Sequence, residues 1–285
     1  MLKGKNSNLS ALALALLAGL SLSLSGCFSF HENDGPPDHN VDVSQIPNAV
    51  PKALPKSRYG NPASYVVLGR RYHVKNSAIG YDERGIASWY GTKFHEKLTS
   101  SREPYNMLAM TAAHKTLPLP TFVRVRNLEN QREIVVKVND RGPFADNRII
   151  DLSYVAAKKL GMLKKGTAMV EVTAIDPRRP HPQSSSDDAT LSSIEHHLQS
   201  ASHQLKVKPK LFLQVGAFQE RDNAMLRASQ LRSLTRYPVN IVENFERGST
   251  LFKVQVGPLK DVATSDWLAA QLIRNGLSKP LVVIT

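Results

Sequence analysis

The stretch Asn139-Asp-Arg-Gly-Pro-Phe144, followed closely by Arg148-Ile-Ile-Asp-Leu-Ser153, decides the fold of the first half of this chain. It comes directly after residues 133–138, whose apolar side chains alternate with the period of two that is typical of a half-buried strand. Arg141-Gly142-Pro143 then predicts a turn, which would expose the Asp140 carboxylate at the end of that strand.

Strand-like runs recur on both sides of this stretch. They cover residues 65–68, 85–90, 121–126, 147–150 and 168–173. Two helices are expected among them, one around residues 111–116 and one over residues 153–160, where Ser153 supplies the N-cap and Gly161 the stop. Many short strands with little helix favour a small, mainly β barrel.

Five sequence blocks stand in order between residues 85 and 153. They are Gly85-Ile-Ala-Ser-Trp-Tyr-Gly91, residues 99–107, Thr111-Ala-Ala-His-Lys-Thr-Leu-Pro118, Asn139-Asp-Arg-Gly-Pro-Phe144 and Arg148-Ile-Ile-Asp-Leu-Ser153. Together they resemble the rare lipoprotein A family, and the resemblance implies a six-stranded double-psi β-barrel with its core over residues 85–176 of a domain spanning residues 61–176. That family commonly shows Thr-Ala-Asn-Gly-Glu where this chain has Thr99-Ser-Ser-Arg-Glu103.

The same resemblance implies an enzyme, a lytic transglycosylase. Such an enzyme cleaves the bond between N-acetylmuramic acid (MurNAc) and N-acetylglucosamine (GlcNAc) and closes the muramic C6 hydroxyl onto C1 as a 1,6-anhydro ring. A carboxyl must protonate the leaving oxygen, and a carboxylate must accept the hydroxyl proton. Matching positions imply that Asp140 is the acid and base. They also imply that Glu103 stabilises the transition state or shares the proton transfer, and that His114 positions the substrate.

Simpler structural roles are open for these residues. Asp140 and Arg141 could form an ion pair at a strand end, and His114 could be a buried histidine satisfied within a helix. Asp151, two residues before Ser153, is better interpreted as a charge at the N-terminus of a helix than as a catalytic group.

The last part of the chain predicts a second domain. Its elements alternate as strand, helix, strand, strand, helix, strand. Leu213-Gln-Val-Gly-Ala-Phe218 and Lys253-Val-Gln-Val-Gly-Pro258 resemble the signature strands of the SPOR domain, which implies a ferredoxin-like βαββαβ fold over residues 209–285. Matching positions place Gln214, Leu251 and Lys253 on an open sheet face that binds glycan strands lacking stem peptides.

The N-terminus has the pattern of an export signal. Lys3 and Lys5 precede an apolar run that is too short for a comfortable membrane span. Leu24-Ser-Gly-Cys27 resembles the bacterial lipobox, so residues 1–26 are expected to be a signal peptide and Cys27 to carry the lipid. Phe28, which stands where aspartate would retain a lipoprotein at the inner membrane, favours the outer membrane, with the protein facing the periplasm.

Two segments are expected to be flexible. Residues 27–60 are rich in proline and lack a sustained period, which predicts a lipidated tether. Residues 177–208 are rich in Ser, His, Pro and Gln, which predicts a linker. The barrel and the SPOR domain would then reach the cell wall independently.

The charge and the histidines raise other functions. The net charge of +13 favours anionic envelope partners over nucleic acid in an exported chain. Four of the nine histidines lie in or beside the linker, so a metal-dependent endopeptidase is disfavoured, and neither a metal nor a cofactor is expected. The two resemblances together imply an endolytic peptidoglycan lytic transglycosylase at the division septum. The alternative is a non-catalytic glycan-binding lipoprotein that links the membrane to the septal ring, with division proteins as partners.

Overall fold

A computed structural model of the protein describes residues 34–178 and 208–285, apart from Arg247. The predicted signal peptide, Cys27 and nearly all of the predicted linker lie outside the described residues. None of the helices in the described part is long and apolar enough to span a bilayer.

The first half of the described chain is a closed barrel preceded by a hairpin. The hairpin strands are β1 (Ser64–Val67) and β2 (Arg70–His73). The barrel strands are β3 (Asp82–Tyr90), β4 (Thr111–His114), β5 (Thr121–Asn127), β6 (Glu133–Asp140), β7 (Arg148–Ser153) and β8 (Ala168–Ala174). They close in the order β3-β7-β4-β6-β5-β8, with β3 parallel to β7 and β4 parallel to β6. The predicted six-stranded barrel is confirmed.

One of the two helices expected in this half is present. Helix α1 (Tyr154–Leu160) begins at Ser153, whose hydroxyl accepts a hydrogen bond from the Ala156 N–H, and ends at Gly161 in the left-handed conformation. The helix expected around residues 111–116 is wrong, because residues 111–114 form β4. That strand is buried along its whole length and pairs with β6 and β7, so tertiary pairing overrides a helical local pattern.

Residues 34–60 lie along the barrel, although the sequence predicts a flexible tether for them. Val41, Val43 and Ile46 pack against the buried core of the barrel. The Ala49 N–H donates to the Val135 carbonyl at 3.0 Å, and the Ser57 N–H donates to the Leu119 carbonyl at 2.8 Å. The tether prediction is therefore wrong for this segment, which we call the strap (residues 34–60).

The C-terminal domain has the predicted mixed α/β order. It consists of β9 (Leu211–Phe218), α2 (Arg221–Leu234), β10 (Val239–Glu246), β11 (Ser249–Leu259), α3 (Val262–Arg274) and β12 (Leu281–Ile284). The antiparallel sheet has the order β10-β11-β9-β12. Leu213 and Val254 of the sheet share a buried apolar cluster with Ala228 of α2 and Leu268 of α3, so one face of the sheet packs on the helices.

The barrel and the C-terminal domain are in contact, although the sequence predicts independent modules. Ile86, Leu128 and Met169 of the barrel belong to the same buried cluster as the C-terminal core. The Arg148 guanidinium binds the Asp266 carboxylate with nitrogen to oxygen distances of 3.2 and 2.5 Å. Apolar side chains on the outside of the barrel are thus buried against the second domain.

Candidate active site

Two aspartates lie on either side of strand β4 at the same level of the barrel. Ala113 of β4 pairs with Asp140 of β6 and with Asp151 of β7. Paired residues on neighbouring strands project from the same face of a sheet. Strands about 4.8 Å apart place the two Cα atoms about 10 Å apart, so both carboxyl groups can reach one substrate.

A β-bulge directs Asp140 onto this face. The register of β4 and β6 shifts between Ala112 and Ala113, which pair with Val138 and Asp140, so that Asn139 is the extra residue. An extra residue reverses the side to which the following side chains point. Without it, the Asp140 carboxylate would point to the other face of the barrel wall.

The Asp140 carboxylate is held by three hydrogen bonds to one oxygen. Oδ1 accepts from the backbone N–H of Ser100 at 2.8 Å, from the Ser100 hydroxyl at 2.7 Å and from the Arg141 N–H at 2.7 Å. Ser100 lies in the turn formed by residues 99–103, where the chain departs from the family pattern. The turn therefore supplies the donors that orient the aspartate.

Arg141 does not form the ion pair with Asp140 that was considered from sequence. Its Nε donates to the Gly60 carbonyl at 2.8 Å, and its Nη1 donates to the carbonyls of His114 and Leu117 at 3.0 and 2.6 Å. The guanidinium ties the strap and the end of β4 to the loop that follows Asp140.

Asp151 is a partly buried acid. One carboxylate oxygen, Oδ1, has no hydrogen-bond partner among the described residues. Burial raises the pKa of Asp151 to about 7, against a smaller lowering by a hydrogen bond with Ser88. Asp151 lies inside β7, so its interpretation as a helix N-terminal charge is wrong. A carboxyl that titrates near neutral pH can both donate and accept a proton.

Glu103 is an ion-paired carboxylate. Oε2 accepts from Lys137 Nζ at 2.7 Å and from Asn139 Nδ2 at 2.8 Å. Partial burial alone would raise the pKa of Glu103, but these two partners bring it below its ordinary value. Glu103 therefore stays ionised and fixes Asn139, the bulge residue beside Asp140. Glu103 also ends the turn of residues 99–103, since the Thr99 N–H donates to the Glu103 carbonyl at 2.8 Å.

His114 follows Ala113 in β4, so its side chain points to the opposite face of the strand from the two aspartates. Its side chain is 3% exposed, and Nδ1 accepts from the N–H groups of Thr116 and Leu117 at 3.1 and 3.0 Å. Nε2 must then carry the proton and donate to the Tyr81 hydroxyl, 2.9 Å away. Burial lowers the pKa of His114 to about 3, with nearby Arg141 and Lys115 adding to the effect. The His114 ring is neutral, and its two nitrogens are bonded within the protein, as the simpler structural role predicts. It lies on strand β4, however, and not in a helix.

Further polar atoms near the aspartates are buried without a hydrogen-bond partner among the described residues. They are Tyr90 Oη, Thr111 Oγ1 and Asn139 Oδ1. Asp151 and Ser100 are the residues of this site that sequence reasoning missed. An aspartate in the middle of an otherwise apolar strand was the available signal for Asp151. No group of three potential metal ligands occurs within the described parts of the chain.

The C-terminal sheet carries the predicted glycan-binding residues on its face opposite the helices. Gln214 of β9 pairs with Gln255 of β11, and Lys253 pairs with Ala217. A register shift between Val254 and Gln255 keeps Gln214 and Lys253 on one face. Leu251 lies two residues before Lys253 and is half-buried. These positions are distinct from the aspartate site of the barrel.

Comparison with known families and proteins relates both domains to characterised groups. The family described as "Lytic transglycolase" matches residues 82–172, and the family described as "SPOR domain" matches residues 208–283. The endolytic peptidoglycan transglycosylase RlpA of Pseudomonas aeruginosa UCBPP-PA14 is 41% identical over 272 residues, which cover 82% of this chain and 79% of that protein.

Two further relatives cover smaller parts of the chain. The endolytic peptidoglycan transglycosylase RlpA of Vibrio cholerae O1 is 44% identical over 196 residues, with 68% of this chain and 72% of that protein covered. The crystal structure of the RlpA SPOR domain from P. aeruginosa is 30% identical, covers 26% of this chain and 96% of that chain, and superposes with a TM-score of 0.25.

Proposed function

The chain belongs to the RlpA family of endolytic peptidoglycan transglycosylases, and we propose that it cleaves the MurNAc–GlcNAc bonds of peptidoglycan with formation of a 1,6-anhydro ring. The observation that carries the proposal is the placement of Asp140 and Asp151 on both sides of Ala113. Two carboxyl groups in different environments supply the acid and the ionised group that glycosidic cleavage needs.

Asp151 is the proton donor in this proposal, in place of the Asp140 that the family resemblance favours. Its pKa near 7 keeps a large fraction protonated at neutral pH. The Asp151 proton passes to the GlcNAc oxygen as the bond from that oxygen to the muramic C1 breaks. The resulting Asp151 carboxylate accepts the proton of the muramic C6 hydroxyl, while the C6 oxygen bonds to C1. The proton balance closes on one residue, and no water enters the product.

Asp140 stabilises the positive charge that develops at C1. Three donors fix its carboxylate before substrate binds, so that little reorganisation accompanies the reaction. Glu103 is a positioning residue, which acts through Asn139 and the turn of residues 99–103. His114 is also a positioning residue, through its carbonyl and Arg141.

The C-terminal domain brings the barrel to its substrate. Gln214 can donate to and accept from sugar hydroxyls and acetamido groups, and Lys253 suits the muramic carboxylate. We assign to this face, with Leu251, the binding of glycan strands that lack stem peptides. Because such strands accumulate where the septum divides, this domain would concentrate the enzyme there, among the division proteins.

Membrane attachment is part of the same proposal. The lipobox sequence supports lipidation at Cys27, and Phe28 supports an outer-membrane location facing the periplasm. Radiolabelled palmitate should enter the wild-type protein in cells and should not enter a Cys27→Ala variant. Labelling of the variant would contradict lipidation at this cysteine.

Product analysis tests the reaction itself. Residues 28–285 are incubated with sacculi stripped of stem peptides, and the soluble products are identified by mass spectrometry. The wild-type protein should release fragments that end in 1,6-anhydro-MurNAc, and Asp151→Asn should release none. Binding without release would instead favour the non-catalytic glycan-binding lipoprotein. Products with a reducing MurNAc end would point to hydrolysis.

A further inference from the structure

An arginine in a strained backbone conformation borders the aspartate site. Arg102 has a φ of 69°, in the left-handed region that favours glycine and disfavours other L-residues. Its backbone N–H donates to the Thr99 carbonyl at 2.9 Å within the turn of residues 99–103. The same turn supplies Ser100 to Asp140 and Glu103 to Lys137. Strain kept beside an active site is a reason to look for a role of the side chain.

The Arg102 side chain rests on an aromatic ring of the strap. The guanidinium carbon lies 5.6 Å from the centroid of the Tyr59 ring, and Arg58 lies 5.8 Å from the same ring. The strap is fixed on both sides of Tyr59 by the bond from the Ser57 N–H to the Leu119 carbonyl and by the bond from Arg141 to the Gly60 carbonyl. Tyr59 is thus a fixed support that restrains the Arg102 guanidinium.

The two arginines leave positive charge at this edge of the site. Neither Arg58 nor Arg102 forms an ion pair with a carboxylate of the described residues, and both side chains are exposed. By contrast, Glu103 forms an ion pair with Lys137 of the barrel wall. A guanidinium held over a ring can still offer N–H groups to a ligand, and two of these N–H groups match the geometry of a carboxylate.

We propose that Arg102, supported by Tyr59, binds the lactyl carboxylate of the muramic residue next to the bond that is cleaved. This inference rests on the proposed function and deepens it. The lactyl carboxylate carries a charge only after the stem peptide has been removed, because the peptide is attached to it through a neutral amide. The barrel itself, and not only the C-terminal domain, then selects glycan strands that lack peptides.

Paired substrates test the proposal. Residues 28–285 are assayed on peptide-free glycan and on the same glycan with its lactyl carboxylates converted to amides. Wild-type kcat/KM should be about tenfold higher on the carboxylate form, the size expected for one charge-assisted interaction. Arg102→Gly should lower this preference, and the part that remains is the contribution of Lys253 in the C-terminal domain. Glycine adopts the observed φ without strain, so the variant should melt no lower than the wild type.

Two further variants keep the result interpretable. Arg58→Gly removes the other arginine of the same ring and should retain the preference. Asparagine also tolerates the left-handed region, so Arg102→Asn should behave as Arg102→Gly does. An unchanged preference in Arg102→Gly, or an equal loss in Arg58→Gly, overturns the proposal.

Failure of the proposed reaction can be told apart from failure of this subsite. If the wild type releases no anhydro products, binding of the two soluble glycans is measured by calorimetry. A tenfold weaker binding of the carboxylate form by Arg102→Gly would then support the subsite alone. Equal binding by the variant and the wild type would overturn it. The C-terminal domain is identical in all variants and cannot produce the difference.

Discussion

The carboxylate of Asp34, at the start of the strap, accepts hydrogen bonds from the backbone N–H of Gly91 at the end of β3, with oxygens 3.0 and 3.2 Å away. Gly91 has no room for a side chain, because a Cβ there would lie 2.0 Å from the Gly35 carbonyl oxygen. The start of the strap thus contacts the barrel at Gly91, three residues after Ser88, which pairs with Asp151.

Removal of the strap should destabilise the barrel. A chain that starts at residue 61 should melt about 5–10 °C lower than one that starts at residue 34, since the cover over apolar core residues is lost. It also loses the bonds from Lys158 to the Val41 carbonyl and from Lys159 to the Ile46 carbonyl. Calorimetry of both chains measures the difference. Equal melting temperatures would mean that the strap only rests on the surface.

Asp151→Asn should stabilise the protein at alkaline pH while it abolishes activity. The pKa of Asp151 is about 7 in the folded state, whereas an ordinary aspartate has a pKa of 3.8, so the folded protein binds this proton more tightly than the unfolded chain does. Wild-type stability should therefore fall as pH rises from about 4 to about 7. The neutral asparagine avoids this loss. At about 1.4 kcal/mol per pKa unit, its free energy of unfolding above pH 7 should exceed that of the wild type by up to about 4 kcal/mol.

Urea denaturation of wild type and Asp151→Asn, at pH 4 and at pH 8, measures this linkage. The free energies of unfolding should be similar at pH 4, and the variant should be more stable at pH 8. Ser88→Ala, which removes a bond that lowers the Asp151 pKa, should extend the wild-type loss of stability to higher pH. The stability of Asp151→Asn is compared with that of the wild type at each pH. If the variant does not gain stability over the wild type between pH 4 and pH 8, the raised pKa of Asp151 is contradicted.

Lys137→Met should raise the pKa of Glu103. The change removes the Lys137 partner while it leaves the partial burial that opposes ionisation. The carboxyl resonance of Glu103 should then titrate at higher pH in a nuclear magnetic resonance experiment, and the acid limb of the kcat/KM profile should move the same way. Lys165→Met, which breaks the Lys165–Glu129 ion pair of the same 2.7 Å length elsewhere on the barrel, should leave Glu103 unchanged.

The sequence predicts most of the strands and the order of both domains, because alternation and turn residues are local signals. It fails for β4, whose conformation depends on pairing with β6 and β7. It also fails for the strap, where apolar side chains such as Val41 and Ile46 stand among polar residues between two prolines and show no sustained period. The role of Asp151 depends on a neighbour 38 residues away, Ala113, and no local pattern could reveal that pairing.

Reversing the charge of Asp266 should separate the two domains. The Arg148 side chain is 11% exposed and Asp266 is 38% exposed in their ion pair, so Asp266→Lys would leave two facing cations at a partly desolvated contact. We expect a larger radius of gyration in small-angle X-ray scattering. Adding Arg148→Glu should restore the wild-type value, with a coupling energy of about 1–3 kcal/mol in denaturation experiments.

Glu243→Lys reverses an exposed charge 3.9 Å from Arg221 within the C-terminal domain, and should leave the scattering unchanged. If Asp266→Lys scatters as the wild type does, the apolar contacts of the barrel and the Lys279–Asp146 ion pair hold the domains together without the Arg148–Asp266 pair.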